Sequence, residues 1–87
     1  MNQPDIWYVY ILECSDKSLY TGITNNVERR ISEHNDSSIG AKYTRARRPV
    51  NLVYQEECMN RSVASKREME IKKLRPEKKR GLINQTT

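Results

Sequence analysis

Residues 7–14 (WYVYILEC) and 19–24 (LYTGIT) are dense in aromatic and β-branched side chains, the composition of strands. Ser15, Asp16 and Lys17 between them have turn chemistry, so the two runs predict a β-hairpin. Beyond it the period changes. Asn25 or Asn26 can cap a helix, with Glu28 placed to complete a capping box from Asn25, and residues 27–35 carry that helix to a polar stop at Asn35, Asp36, Ser37 and Ser38. Residues 40–50 (GAKYTRARRPV) keep no clean period and predict a basic connecting loop or short helix ending at Pro49. Residues 51–56 predict a third strand and about 61–74 a second helix, while Pro76 opens a short third helix through Lys78 to Leu82. Asn84 to Thr87 are expected to fray. The order β-β-α-loop-β-α-α predicts an α/β (α+β) fold, an antiparallel or mixed three-stranded sheet covered by helices. With 87 residues there is room for one core, assigned to residues 1–83 with a flexible tail at 84–87.

Several polar residues fall on faces that should be apolar. In the first helix Val27 and Ile31 define the inward stripe, and helical spacing puts Arg30 and His34 on it. A charge taken out of water must be paired or must line a wet cleft. In the second helix Val63, Ala64, Ile71 and Leu74 mark the buried side, with Glu68 at its edge and Glu70 pointing elsewhere. In the hairpin, a three-residue loop at Ser15–Lys17 sets Leu12 opposite Tyr20 and Tyr10 opposite Gly22, with both phenols on one face; a two-residue loop separates them. Gly22 then leaves an open notch beside Tyr10, suited to the approach of a substrate backbone.

Composition sharpens this picture. There is no Phe, one Trp and five Tyr, so most rings bring a hydroxyl that needs a partner when buried. The net charge of +5 is divided unevenly: residues 1–39 carry −3 and residues 40–87 carry +8. A face this positive attracts phosphate and gains affinity by counterion release, which makes nucleic acid the expected partner. Cys14 and Cys58 are too few for a disulfide scaffold, and with His34 they lack the paired spacing of a zinc site. Neither a signal peptide nor a long apolar run is present, so a cytoplasmic protein with reduced thiols and no membrane partner is expected.

Tyr8-Val9-Tyr10 and Tyr20-Thr21-Gly22, ten residues apart and followed by Arg30, His34 and a helical Glu68, resemble the GIY-YIG nuclease superfamily. The likeness runs from about Trp7 to Leu82. It is nearest to the small stand-alone bacterial members, which share the WYVYIL opening, LYTGIT, the GAKYTR-x-RRP loop and a closing RE-x-E-x-KKL helix. The resemblance implies a three-stranded, largely antiparallel sheet flanked by helices. It also implies that Tyr10 and Tyr20 are paired active-site phenols, that Arg30 binds the scissile phosphate, and that Glu68 holds a divalent metal, Mg²⁺ or Mn²⁺. His34 matches a histidine of many members, and a late asparagine used by some is poorly matched by Asn84, which falls in the tail expected to fray. The chain departs from the signature at Tyr8, where a glycine is usual, and at Thr21, where an isoleucine is. Ile23 and Thr24 also stand where a lysine often follows.

The expected activity is metal-dependent hydrolysis of phosphodiester bonds, with DNA favoured over RNA and low sequence specificity. Tyr10, its pKa lowered by nearby cations, is expected to orient or deprotonate water while Tyr20 donates to a phosphate oxygen. Lys42, Arg45, Arg47, Arg48, Lys72, Lys73 and Arg75 are expected to follow the flanking backbone, with Tyr43 stacking on a base or joining the core. The alternative is a non-catalytic nucleic-acid-binding module acting with a repair or processing partner, and a protein partner supplying specificity suits either reading.

Overall fold

The structure is a computed structural model that describes residues 6–36 and 40–85. Its elements are β1 (Trp7–Glu13), β2 (Leu19–Thr24), α1 (Val27–Asp36), α2 (Lys42–Arg45), β3 (Asn51–Cys58), α3 (Arg61–Lys72) and α4 (Pro76–Asn84). The sheet order is β2-β1-β3, and both pairings are antiparallel. The fold is therefore the α+β arrangement expected, with β1 at the centre.

The hairpin closes through the loop that sets the phenols together. Cys14 N–H donates to Ser18 O at 2.9 Å and Lys17 N–H to Cys14 O at 2.9 Å, leaving Ser15, Asp16 and Lys17 as the loop. Lys17 takes the left-handed backbone (φ 71°), as the last position of a three-residue loop with a bulge requires. Asp16 locks the turn by accepting from Ser18 N–H at 3.0 Å. The register that follows pairs Tyr10 with Gly22 and Leu12 with Tyr20.

Because β1 is central, both its faces are buried, and the side-chain period of two divides the core. Tyr10, Leu12 and Cys14 join Val50, Tyr20 and Ile31 on the α1 side. Val9 and Ile11 join Tyr54, Cys58, Ala64 and Ile71 on the α3 side, where Leu82 and Ile83 of α4 also pack. The two thiols are unbridged and sit in different clusters.

Some boundaries differ from the sequence reading. Asn26, not Asn25, caps α1, its Oδ1 accepting from Arg29 N–H at 3.0 Å, so no capping box forms from Asn25 to Glu28. β3 runs two residues past Glu56 because Glu57 and Cys58 pair with Tyr8 and Trp7 at the start of β1. α3 stops at Lys72, and Val63 and Leu74, expected inside, are exposed; Ala64 and Ile71 alone form its buried seam. α4 continues to Asn84, two residues beyond the expected Leu82. Residues 86–87 of the expected tail, and Ser37 and Ser38 of the stop after α1, lie outside the described residues.

Candidate active site

The α1 face of the sheet gathers most of the residues singled out above. The rings of Tyr10 and Tyr20 are 6.4 Å apart between centroids, and that of His34 lies 5.9 Å from Tyr10 and 5.1 Å from Tyr20. Tyr10 is 1% exposed and His34 0%, whereas Tyr20 is only half-buried, so Tyr20 is the phenol that meets solvent. Tyr10 Oη lies 2.9 Å from His34 Nε2. Arg30 hydrogen-bonds the same phenol and donates from Nη1 to Glu33 Oε1 at 2.8 Å. Its side chain keeps 27% of its surface in solvent. Tyr10's oxygen is thus one side chain away from the opening.

The electrostatics follow from burial. Desolvation, followed by the neighbouring Tyr20, pushes the Tyr10 phenol up to about 12, outweighing Arg30. The sequence reading expected the opposite direction because it counted the cation and not the burial. Desolvation and then the Arg30 charge lower His34 to about 4, so its imidazole is neutral at ordinary pH. Arg30 itself is raised: burial opposes its charge, but the bonds to Glu33 and Tyr10 prevail.

Glu68 comes from α3, which packs across β1 and β2 on the other face. Its side chain is 19% exposed and pairs with Lys72 Nζ at 3.3 Å. Its negative charge is felt at the Tyr10 phenol, whose pKa it raises. Among the described residues no three His, Cys, Asp or Glu side chains cluster around a common point. Glu68 is the carboxylate that the family resemblance would give to a divalent ion, and a single carboxylate suits Mg²⁺ completed by water and substrate phosphate oxygens.

Gly22 does not leave the open notch expected of it. A Cβ built there would lie 2.5 Å from Tyr10 Oη and 2.7 Å from Tyr10 Cζ, so the phenol itself occupies the space. Gly22 seats Tyr10.

The basic loop divides into two sets. Arg47 donates from Nε to Asp16 Oδ2 at 3.1 Å and from Nη1 to Tyr43 O at 2.9 Å, and its guanidinium covers the Tyr43 ring at 4.0 Å. Arg48 donates to the carbonyls of His34 and Glu33 at the end of α1. Both are engaged in holding the loop. Tyr43, 39% exposed, lies 6.0 Å from the Tyr20 ring. A base stacking on it competes with Arg47 and Tyr20. Lys42, Arg45, Lys73 and Arg75 make no ion pair among the described residues and are exposed. Next to Tyr43 a hollow of about 400 Å³ opens between the hairpin turn and α4, edged by Lys17, Lys79 and Arg80.

The sequence reading passed over three residues that build this site. Glu33 holds Arg30. Asn35 pairs with the Val50 backbone as another strand would, Val50 N–H donating to Oδ1 at 2.8 Å and Nδ2 donating to Val50 O at 3.1 Å. Thr44 is fully buried against His34. Asn84 is exposed at the end of α4.

The chain belongs to the GIY-YIG family, whose catalytic domain matches residues 6–80. Among individual relatives it is 62% identical over 77 residues to the UPF0213 protein DP2720 of Desulfotalea psychrophila, a match spanning 88% of this chain and 70% of that one. A UPF0213 protein of Syntrophus aciditrophicus is 56% identical over 78 residues, 90% of each chain. Two NMR structures share the fold. The UPF0213 protein BH0048 of Bacillus halodurans has a TM-score of 0.58 at 47% identity, covering 91% of this chain and 83% of its own. The protein EF2693 of E. faecalis has a TM-score of 0.60 at 41% identity, covering 94% and 88%.

Proposed function

We propose that the chain is a metal-dependent endonuclease that hydrolyses phosphodiester bonds in nucleic acid with little sequence preference, DNA being favoured. The observation that carries this reading is the junction at Tyr10: Arg30 and His34 both bond its phenol, Tyr20 stands beside it, and the Glu68 charge acts on it. A site that only binds phosphate has no use for a carboxylate, which repels the ligand.

In this reading Arg30 grips the scissile phosphate, and Tyr20 donates to a phosphate oxygen from the solvent side. Water held at the phosphate beside Arg30 gives a proton to the Tyr10 oxygen as Tyr10 passes its own to His34 Nε2. The hydroxide oxygen so formed attacks phosphorus, the P–O bond to the leaving sugar oxygen breaks, and that oxygen takes a proton from solvent water as His34 returns to solvent the one it gained. Glu68 would hold a Mg²⁺ or Mn²⁺ ion, whose chemistry there is neutralisation of charge on the phosphate and leaving group. Lys42, Arg45, Lys73 and Arg75, with Lys17 and Lys79, line the path of the flanking backbone. None of them faces a defined base edge, so a protein partner would supply any specificity. Two buried thiols and no described helix long and apolar enough to cross a membrane suit a cytoplasmic enzyme.

The test is nicking of single-stranded, duplex and branched DNA with and without Mg²⁺, by wild type and Glu68→Ala. Cutting by wild type alone is expected. Wild type that binds but never cuts, with Glu68→Ala binding equally well or better, leaves a binding module.

A further inference from the structure

Thr44 lies in α2, a single turn of helix with no place in the reading above, and its hydroxyl is fully buried. Thr44 Oγ1 sits 2.8 Å from His34 Nδ1 and 2.9 Å from Ala41 O. The Thr44 hydroxyl is aimed at Ala41 O, a carbonyl that only accepts, and donates its hydrogen there. Thr44 Oγ1 then has only lone pairs to offer Nδ1, which must carry a hydrogen. His34 is neutral, so Nε2 is bare and accepts the Tyr10 hydroxyl.

We infer that Thr44 is a positioning residue: it fixes His34 as the Nδ1–H tautomer and thereby makes Nε2 the acceptor of the Tyr10 proton. The bonds then run one way, from Arg30 to Tyr10 to His34 to Thr44 to the Ala41 carbonyl. With the other tautomer Nε2 carries a hydrogen and the Tyr10 proton has nowhere to go. The fold holds Thr44 in place at close quarters. A Cβ on Gly40 would come within 2.6 Å of Glu33 O and 2.9 Å of His34 Cα, so the loop entering α2 packs directly on the α1 backbone. Arg48 ties the exit of the same loop to the His34 and Glu33 carbonyls.

The inference rests on the nuclease reading for its effect on rate alone; the tautomer can be read without activity. The chain has one histidine, so the imidazole ¹⁵N resonances of labelled protein need no assignment by mutation. Wild type is expected to show a protonated Nδ1 and a bare Nε2. Thr44→Val keeps the shape and removes the acceptor; it is expected to move the resonances toward the Nε2–H form and to slow cleavage by ~10-fold or more at unchanged DNA affinity. Thr44→Ser is expected to restore both. A wild-type spectrum with protonated Nε2, or a Thr44→Val spectrum identical to wild type, overturns the inference, and the wild-type spectrum decides even if the variant does not fold. Should the tautomer behave as stated in a protein that never cuts, the nuclease reading fails and Thr44's hold on His34 stands.

Discussion

Tyr10 Oη and His34 Nε2 meet at 2.9 Å in the interior of the protein, a phenol held up at about 12 against an imidazole held down at about 4. Burial keeps both uncharged, and the pair is stable as long as neither gains or loses a proton.

That relationship sets a pH dependence of stability. The folded pKa of His34 is depressed from its usual 6.5, so the unfolded chain takes up a proton first as pH falls. The groups around it are the charges of Arg30, Glu33 and Arg48 and the hydroxyls of Tyr10 and Thr44. Stability is therefore full above pH 6.5 and declines toward pH 4, by an amount reaching roughly 3 kcal/mol. Denaturant unfolding of wild type and His34→Gln across this window checks it. The difference between the two curves isolates the histidine from the carboxylates, and it should narrow as pH drops.

Gly22→Ala is expected to cost about 1–3 kcal/mol and most of the cleavage activity, because the new methyl enters the space of the Tyr10 phenol. In a Tyr10→Leu background the same substitution should cost far less. Thermal unfolding of the four proteins of that cycle measures the coupling. Additive effects would mean that the glycine serves some other purpose.

Thr21 stands where the family signature has isoleucine, and its buried hydroxyl finds no partner among the described residues. Thr21→Val removes that polar group without changing the shape and is expected to stabilise by about 1 kcal/mol. A fall in melting temperature would show that the hydroxyl is satisfied in solution.

The basic loop should separate by role. Arg47→Ala, which strips Tyr43 and Asp16 of their partner, is expected to lower stability by about 1 kcal/mol. Lys42→Ala and Arg45→Ala should leave melting unchanged, weaken DNA binding across all sequences, and each reduce the slope of log K against log salt by roughly 1. Binding isotherms at several salt concentrations distinguish the two sets.

Much of this was legible in the sequence for identifiable reasons. The hairpin register was legible as one of two alternatives, and the three-residue loop at Ser15–Lys17 is the one that places Tyr10 against Gly22 and Leu12 against Tyr20. Helical spacing put Arg30 and His34 on the inward stripe of α1. What failed was judged one residue at a time. The Tyr10 pKa was read from its cations, although desolvation in the centre of a sheet dominates. Gly22 was read as a gap, although the ring opposite fills it. Arg47 and Arg48 are grouped with the phosphate-following set by charge alone, and the sequence gives no sign that Asp16 and the Tyr43 ring engage one and the end of α1 the other. Thr44 gave no signal, because a threonine in an irregular basic stretch declares its burial only when α2 closes on α1.

The most direct measurement is the single-turnover cleavage rate of a labelled DNA by wild type and Tyr10→Phe in Mg²⁺, with affinity measured in parallel. The variant keeps the ring and loses only the oxygen that Arg30 and His34 share. A fall of ~100-fold or more at unchanged affinity is expected. A Tyr10→Phe protein that cuts as fast as wild type contradicts the assignment of this phenol to the chemistry.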